Sequence, residues 1–311
     1  ASDVYKRQVV SLEASSIIDD ASSDTTLEIF EEFEKQYSNI RLVKVENNEA
    51  FWGNKKYALT LGIKASKKDY LLFTDADCYP ASKDWITSMS SQFTMNKTIV
   101  LGYGAYEKIA GSFLNKIIRF ETMLTAIQYF SWAKIGHPYM GVGRNLAYKK
   151  EEFYNVKGFI DHMQIRSGDD DLFINQVAKS KNTAICFSPE SFTYSQPKTS
   201  FKDWFNQKRR HVSTARLYKT FDRVQLALFY GSQLLFVLLA IVLLAFQYQW
   251  IVVLSIVGFR YLFTWITLGF SSGKLKEKDV MYWFPIIEIV LIFTQLNIFI
   301  TNVFSKPVHW K

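Results

Sequence analysis

Two carboxylates one residue apart, Asp75 and Asp77, close the apolar run Leu71-Leu72-Phe73-Thr74. An unbroken apolar run of that length predicts a strand buried on both faces, and open α/β sheets gather their ligands where such strands end. On an extended backbone, residues i and i+2 point to the same side. Asp75 and Asp77 could therefore share a hard divalent cation, and the cation could in turn hold a diphosphate. The competing reading is a strand that simply ends in an Asp-rich turn.

Two further acidic clusters stand at comparable places. Asp19 and Asp20 follow Ile17-Ile18, and Asp169, Asp170 and Asp171 follow Ser167-Gly168 just ahead of an apolar helical pattern. Acids suit a helix N-terminus, so capping is an alternative for each of them. Downstream lies the basic run Gln207-Lys208-Arg209-Arg210-His211. Three acidic clusters and one basic run are the side chains that a metal-bound nucleotide diphosphate and a general base would need. A phosphatase with Asp75 as nucleophile is a further option, but the D-x-D-x-[TV] pattern it requires fails at Tyr79.

The elements that must position these residues follow from periodicity. Residues 9–18 predict a strand, Leu27 to Tyr37 a helix, and Ile40 to Val45 an alternating strand. Asn54 to Ala65 predicts a helix with its apolar face at Ala58, Leu61 and Ala65, and 70–74 a strand. That βαβαβ order predicts a parallel, nucleotide-binding type of sheet. Further on, Trp85 to Phe93 predicts a helix, 98–104 a strand, and Phe113 to Trp132 a long amphipathic helix suited to a core or a membrane surface. A glycine-bearing turn at Gly141 to Asn145 enters a strand, and 184–187 is another. Gly143, Arg144 and Asn145 either face a ligand or form an ordinary turn. Lys55 and Lys56 either reach phosphate or begin a solvated helix.

The 311 residues are 49% hydrophobic and 16% aromatic, with net charge +8, and the apolar residues concentrate in the last quarter. Stretches at about 226–246, 250–270 and 281–304 each approach the ~20 residues that span a bilayer. Arg260 and Glu288 fall inside two of them, which predicts protein-facing positions. Ahead of the first, eight basic residues (Lys198, Lys202, Lys208, Arg209, Arg210, Arg216, Lys219, Arg223) stand against Asp203 and Asp222, a net of +6. Positive-inside bias puts this segment, and the α/β part before it, in the cytoplasm, and Lys274, Lys276 and Lys278 agree. A third full crossing would carry Lys306 and Lys311 to the other side, so that segment could instead be re-entrant or lie flat. Anionic lipid or a pyrophosphate accounts for the positive charge, and nucleic acid is not expected as a partner. Cys78 and Cys186 have no metal-type spacing and are too few for a disulfide framework.

Ile17-Ile18-Asp19-Asp20-Ala21-Ser22-Ser23-Asp24 resembles the "VVDDGSTD" segment of family 2 glycosyltransferases. Asp75-Ala76-Asp77 resembles their DxD motif, and Gly168-Asp169-Asp170-Asp171-Leu172 their "EDxDL" segment. The resemblance covers residues 9–220 and implies a GT-A fold, α/β and Rossmann-like with a mostly parallel sheet, over 1–222. A membrane region of about three helices would follow over 223–311. It implies an inverting, metal-dependent glycosyltransferase that moves a sugar from a nucleotide-sugar donor to a hydroxyl of a glycan or lipid-linked acceptor. Activity would lie at the cytoplasmic face of the inner membrane. The alternatives are a processive polysaccharide synthase or a non-catalytic relative. By resemblance Asp20, with Asp19 beside it, meets the nucleotide base, and Asp75 the ribose or the metal's water shell. Asp77 ligates Mg2+ or Mn2+. Asp169 is the catalytic base, with Asp170 next in line and Asp171 bracing the helix. Lys55 lies in the donor site, Gly143, Arg144 and Asn145 in the donor or acceptor loop, and Gln207, Arg209 and Arg210 close on the diphosphate. The opening strand of the family has no counterpart in this sequence, which reads as truncated at its N-terminus. The Q-x-x-R-W motif of processive members has His211 in place of Trp.

Overall fold

A computed structural model describes residues 7–10, 15–20, 22, 24–45, 55–165 and 167–305. They fall in two compact units, one drawn from 7–107 and 128–196, the other from 108–127 and 197–305.

The first unit is an α/β body on a seven-stranded sheet. Strand β1 (Arg7–Val10) precedes β2 (Ser15–Asp20), α1 (Thr26–Gln36), β3 (Ile40–Val45) and α2 (Lys55–Ala65). Then come β4 (Tyr70–Asp75), β5 (Cys78–Pro80), α3 (Trp85–Ser90), β6 (Ile99–Leu101) and β7 (Gly104–Tyr106). Helix α4 (Phe113–Lys134) runs through the division between the units, and β8 (Leu146–Lys149), α5 (Lys150–Asn155), α6 (Asp171–Val177), β9 (Thr183–Ile185) and β10 (Thr193–Ser195) complete the body.

The sheet order is β3-β2-β1-β4-β8-β6-β9. Strands β2, β3, β4, β6 and β9 point one way, and β1 and β8 the other. The sheet is therefore mixed. A strand does open it, but β1 fills the slot between β2 and β4 antiparallel to both. Leu71, Leu72 and Phe73 of β4 are buried as an interior strand requires.

The single strand expected over 98–104 is two. The chain leaves the large sheet after Leu101 and joins a second, three-stranded sheet, β5-β10-β7, at Gly104. The switch is possible because Gly102 has no side chain: a Cβ there would lie 2.5 Å from Asn145 Cγ. Helix α2 also turns further than its pattern suggested. Its buried face carries Lys56, Leu59 and Ile63, besides Ala58 and Gly62, while Leu61 and Ala65 are only partly covered. Helix α4 is a core helix, burying Ile117, Ile118, Phe120, Met123, Ala126 and Tyr129.

In the second unit, α7 (Phe201–Ala215) is capped by Ser200, which accepts from the Asp203 amide. Helices α8 (Thr220–Ala245), α9 (Trp250–Lys274) and α10 (Phe284–Phe304) follow, with a 3-10 segment, Lys278–Trp283, leading into α10. Three segments, Thr220–Ala245, Trp250–Lys274 and Lys278–Phe304, are long and apolar enough to cross a membrane. Arg260 and Glu288, the charges inside them, pair through two hydrogen bonds of 2.8 and 2.6 Å. Each ion thereby offsets the desolvation of the other.

Asn145 locks the junction of the two sheets. Its amide donates to Tyr103 O (2.9 Å) and Ser191 O (2.6 Å), and its oxygen accepts from Trp85 Nε1 (3.1 Å). The held amide cannot move aside, so Gly102→Ala is expected to cost about 1–3 kcal/mol by overpacking. It should lower the thermal midpoint of the detergent-purified protein. Gly231→Ala, whose Cβ meets open space, should not. Equal midpoints for the two variants would remove Asn145 as the brace.

Candidate active site

Register brings the acidic clusters together. Across β1, Arg7 stands opposite both Ile18 of β2 and Asp75 of β4. Asp19 and Asp20 therefore leave the sheet at the same edge as Asp75. On the other side of β4, Phe73 pairs with Leu146 at the start of β8, so Gly143, Arg144 and Asn145 arrive at that edge too.

Asp75, Asp77 and Cys78 place one potential ligand atom each within 4.8 Å of one another. The Cys78 thiol donates to Asp77 Oδ1 at 3.6 Å, and burial pushes it up to about 12, so it stays protonated. Two carboxylates and a neutral thiol suit an oxygen-seeking cation held by the carboxylates.

Lys55 joins two clusters far apart in sequence. Its ammonium lies 3.3 Å from Asp75 Oδ1 and 3.6 Å from Asp169 Oδ2. The three neighbouring acids of the third cluster have separate surroundings. Asp170 accepts from the Asp171 amide (2.8 Å) and from the Gly143 amide (2.6 Å), one bond to each oxygen. It caps α6 and ties the 141–145 loop to it. Asp171 accepts from the Leu172 amide at 2.7 Å. Asp169 is the member that meets Lys55, and it follows Gly168, whose φ of +89° favours glycine.

Lys56 turns the opposite way from Lys55. It is fully buried and donates to the carbonyls of His162 (2.7 Å) and Ile165 (2.9 Å). Burial pulls its ammonium down to about 8, against the attraction of Asp169, Asp171 and Asp170. It thus pins the segment leading to Asp169. Neither this role nor the burial of His162 was anticipated. The signal was present: Lys56, Leu59 and Ile63 recur at 3 and 4 residues on one helical stripe.

Of the remaining candidates, Asp19 is buried and accepts from the Ser22 hydroxyl and amide. Burial, then the neighbouring Asp19, raise the Asp20 carboxyl above its ordinary value. Arg144 donates to Ser195 Oγ (2.6 Å) and Ala105 O (3.2 Å), with its guanidinium 4.2 Å over the Tyr106 ring. Asn145 has no exposed surface, and its amide braces the two sheets. Gln207, Arg209 and Arg210 lie on α7 in the second unit. Arg209 is buried, and its guanidinium donates to Asn302 Oδ1 (2.9 Å) and to Ser305 O and Oγ (both 2.8 Å).

A mixed α/β sheet with acid pairs at the ends of β2 and β4, and a third acid drawn in from the start of α6, defines a GT-A glycosyltransferase. Residues 16–171, just over half the chain, match the model for Glycosyl transferase family 2, and the chain belongs to that family. Among solved structures it is similar to the mannosyltransferase PcManGT from Pyrobaculum calidifontis, in complex with GDP-Man and Mn2+. The match is 15% identical and covers 94% of this chain and 78% of that one, with a TM-score of 0.53. S. aureus TarS is also similar, at 16% identity over 66% of this chain and 34% of its own, with a TM-score of 0.39. No curated protein matches the chain.

The His162 imidazole carries a pH dependence. Burial, then the Lys56 ammonium, push it from 6.5 down to about 4. The fold therefore favours the neutral ring. That stability is present above pH 6.5, is lost as pH falls from 6.5 to 4, and amounts to about 3 kcal/mol once lost. Amide protection factors in 160–165, taken relative to the intrinsic exchange rate at each pH, should fall across that window in the parent and stay level in His162→Gln. Matching profiles would show that the ring does not govern this segment.

Proposed function

We propose that this chain is an inverting glycosyltransferase that takes a sugar from a nucleotide-sugar donor with the help of Mg2+ or Mn2+. It works at the cytoplasmic face of the inner membrane on a glycan or lipid-linked hydroxyl acceptor. The observation that carries this reading is Lys55, which draws Asp75, the first acid of the DxD motif, and Asp169 to one ammonium. The donor complex of PcManGT with GDP-Man and Mn2+ supports the nucleotide-sugar and divalent-metal parts of it.

In this mechanism Asp77, with Asp75 beside it, would hold the cation, which when bound offsets charge building on the departing diphosphate. Asp19 and Asp20 line the nucleotide end of the same sheet edge. Asp169 takes the proton of the acceptor hydroxyl as that oxygen attacks the anomeric carbon. The bond from that carbon to the diphosphate breaks on the opposite side, and the electron pair leaves with the diphosphate. Asp170 is the weaker choice for the base because both its oxygens already accept backbone N–H groups. Lys55 fixes the spacing between the donor and base ends of the site. Net +6 ahead of α8 and the lysines at 274, 276 and 278 support the cytoplasmic orientation. His211, standing where the Q-x-x-R-W motif has Trp, favours single transfer over processive synthesis.

A donor-hydrolysis screen over nucleotide sugars tests the assignment. Asp169→Asn should lose activity by about 10²–10⁴-fold, the span typical of a lost acid–base partner, and Asp77→Asn should lose activity with the cation it would hold. Asp170→Asn, which keeps a capping oxygen, should lose much less. Chelation should abolish turnover and Mn2+ or Mg2+ restore it. Parental rates in both Asp77→Asn and Asp169→Asn would refute the site.

A further inference from the structure

We infer that α10 enters and leaves the bilayer by one face and that its exposed apolar stripe rests in the lipid leaflet on the side of α7. The inference deepens the membrane reading above and rests on α8 and α9 crossing the bilayer as a hairpin. By length, α10 passes for a third crossing: its 21 residues measure about 31 Å, close to the hydrocarbon thickness. Its partners argue otherwise.

The entrance to α10 is tied to α4. Arg119 is buried and makes a two-bond contact with Asp279 (2.9 and 2.7 Å), with Glu277 at 2.5 Å from the same guanidinium. Lys108 adds a contact of 2.9 Å to Asp279. Phe120 then packs on Phe284, the first residue of α10, and Phe113 on Trp283. The far end of α10 is tied to α7, where Arg209 binds Asn302 and Ser305. The stretch between also follows α7: Phe201 and Phe205 share a groove with Ile289, Val290, Phe293, Thr294 and Asn297. The loop closes because Lys208 of α7 pairs with Glu121 of α4. Both ends of α10 are therefore anchored to two helices that are bonded to each other.

Helix α7 cannot go through the membrane alongside α10. It carries Lys202, Asp203, Lys208, Arg209, Arg210 and His211 within 15 residues, a composition that hydrocarbon excludes but an anionic headgroup layer attracts. Whatever depth α7 takes, the second half of α10 shares it. Glu288, near the start of α10, meets Arg260 within α9, so the helix dips below the leaflet surface on its way. The exposed stripe of α10, Ile286, Ile289, Phe293, Ile300 and Phe304 at helical spacing, lies on the side where Ile289 and Phe293 border the groove with α7. Apolar stripe and cationic neighbour together fit a leaflet interface. The charge rule then holds throughout: Lys306 and Lys311 stay on the side of Lys274, Lys276 and Lys278.

The test uses the full chain in sealed vesicles of both orientations, with Tyr248→Cys, Lys276→Cys and Lys306→Cys each exposed to a membrane-impermeant maleimide. Label is located by peptide mass spectrometry. Position 248, in the α8–α9 loop, should label from one side only, and 276 and 306 from the other. Label at 306 from the same side as 248 would establish a third crossing and overturn the inference while leaving the hairpin intact. Label at 248 and 276 from the same side would overturn the hairpin itself, and the inference with it.

Discussion

Close carboxylates repel, and this site gathers several of them at one sheet edge. Asp75 and Asp77 end β4 and its turn, and Asp169 comes in from before α6. What holds them within reach of one another is the attraction of a half-buried ammonium, Lys55, for Asp75 and Asp169 together. At such distances in a partly desolvated setting the attraction is worth several times its value in water. The adjacent acids are stabilised by other means. Asp170 and Asp171 face backbone N–H groups at the start of α6, where the helix dipole favours negative charge. Lys56 supplies a second buried positive charge behind them and spends its donors on two carbonyls. The sheet, the α6 cap and the α2 lysine pair thus form one electrostatic arrangement, and the sugar-transfer chemistry proposed for Asp169 depends on it.

That arrangement also explains what the sequence could and could not disclose. Acids at strand ends are legible because apolar runs and Asp-rich turns are local signals. The meeting of Asp169 with Asp75 is not local, and nothing in the spacing of residues 75 and 169 announces a lysine at 55 between them. For Lys55 and Lys56 the information was available but divided. Charge alone makes adjacent lysines look alike, whereas a rotation of about 100° per residue sends one to the acids and the other into the core. Asn145 shows the opposite limit. A polar residue beside Gly143 and Arg144 suggested a ligand contact, yet its three bonds go to Trp85, Tyr103 and Ser191, which only the second sheet brings near. That sheet is built from three-residue strands, too short to show a period of two.

The opening of the sheet is a different kind of departure. A parallel order is expected when each strand is followed by a helix, because the crossover returns the chain to the same edge. Only residues 11–14 separate β1 from β2, and a connection that short permits antiparallel pairing alone. Strand β1 therefore satisfies the backbone groups of β2 and β4 from the reverse direction. Those two strands remain parallel to each other, which is why their acidic ends still emerge together.

The same demand that buried charge be matched governs the second unit. Arg260 with Glu288, Arg119 with Glu277 and Asp279, and Arg209 with Asn302 and Ser305 each remove a cation from an apolar surface by giving it a partner on another element. In a soluble core such pairs add little net stability, but they discriminate strongly between arrangements, since any displacement strands a charge. Next to lipid the discrimination sharpens, because no water is at hand to take the partner's place. Helix α10 makes two of these contacts and follows another, Arg119 with Asp279, at its entrance. Hydropathy treats it as equivalent to α8 and α9, yet 28% of its most apolar window is buried against 6% in each of the others. The difference lies in its polar partners: Arg119 of α4 holds the segment leading into α10, Arg260 of α9 pairs with Glu288 within it, and Arg209 of α7 holds its last turn; under the topology inferred above, a helix fastened in this way has no free end to send across.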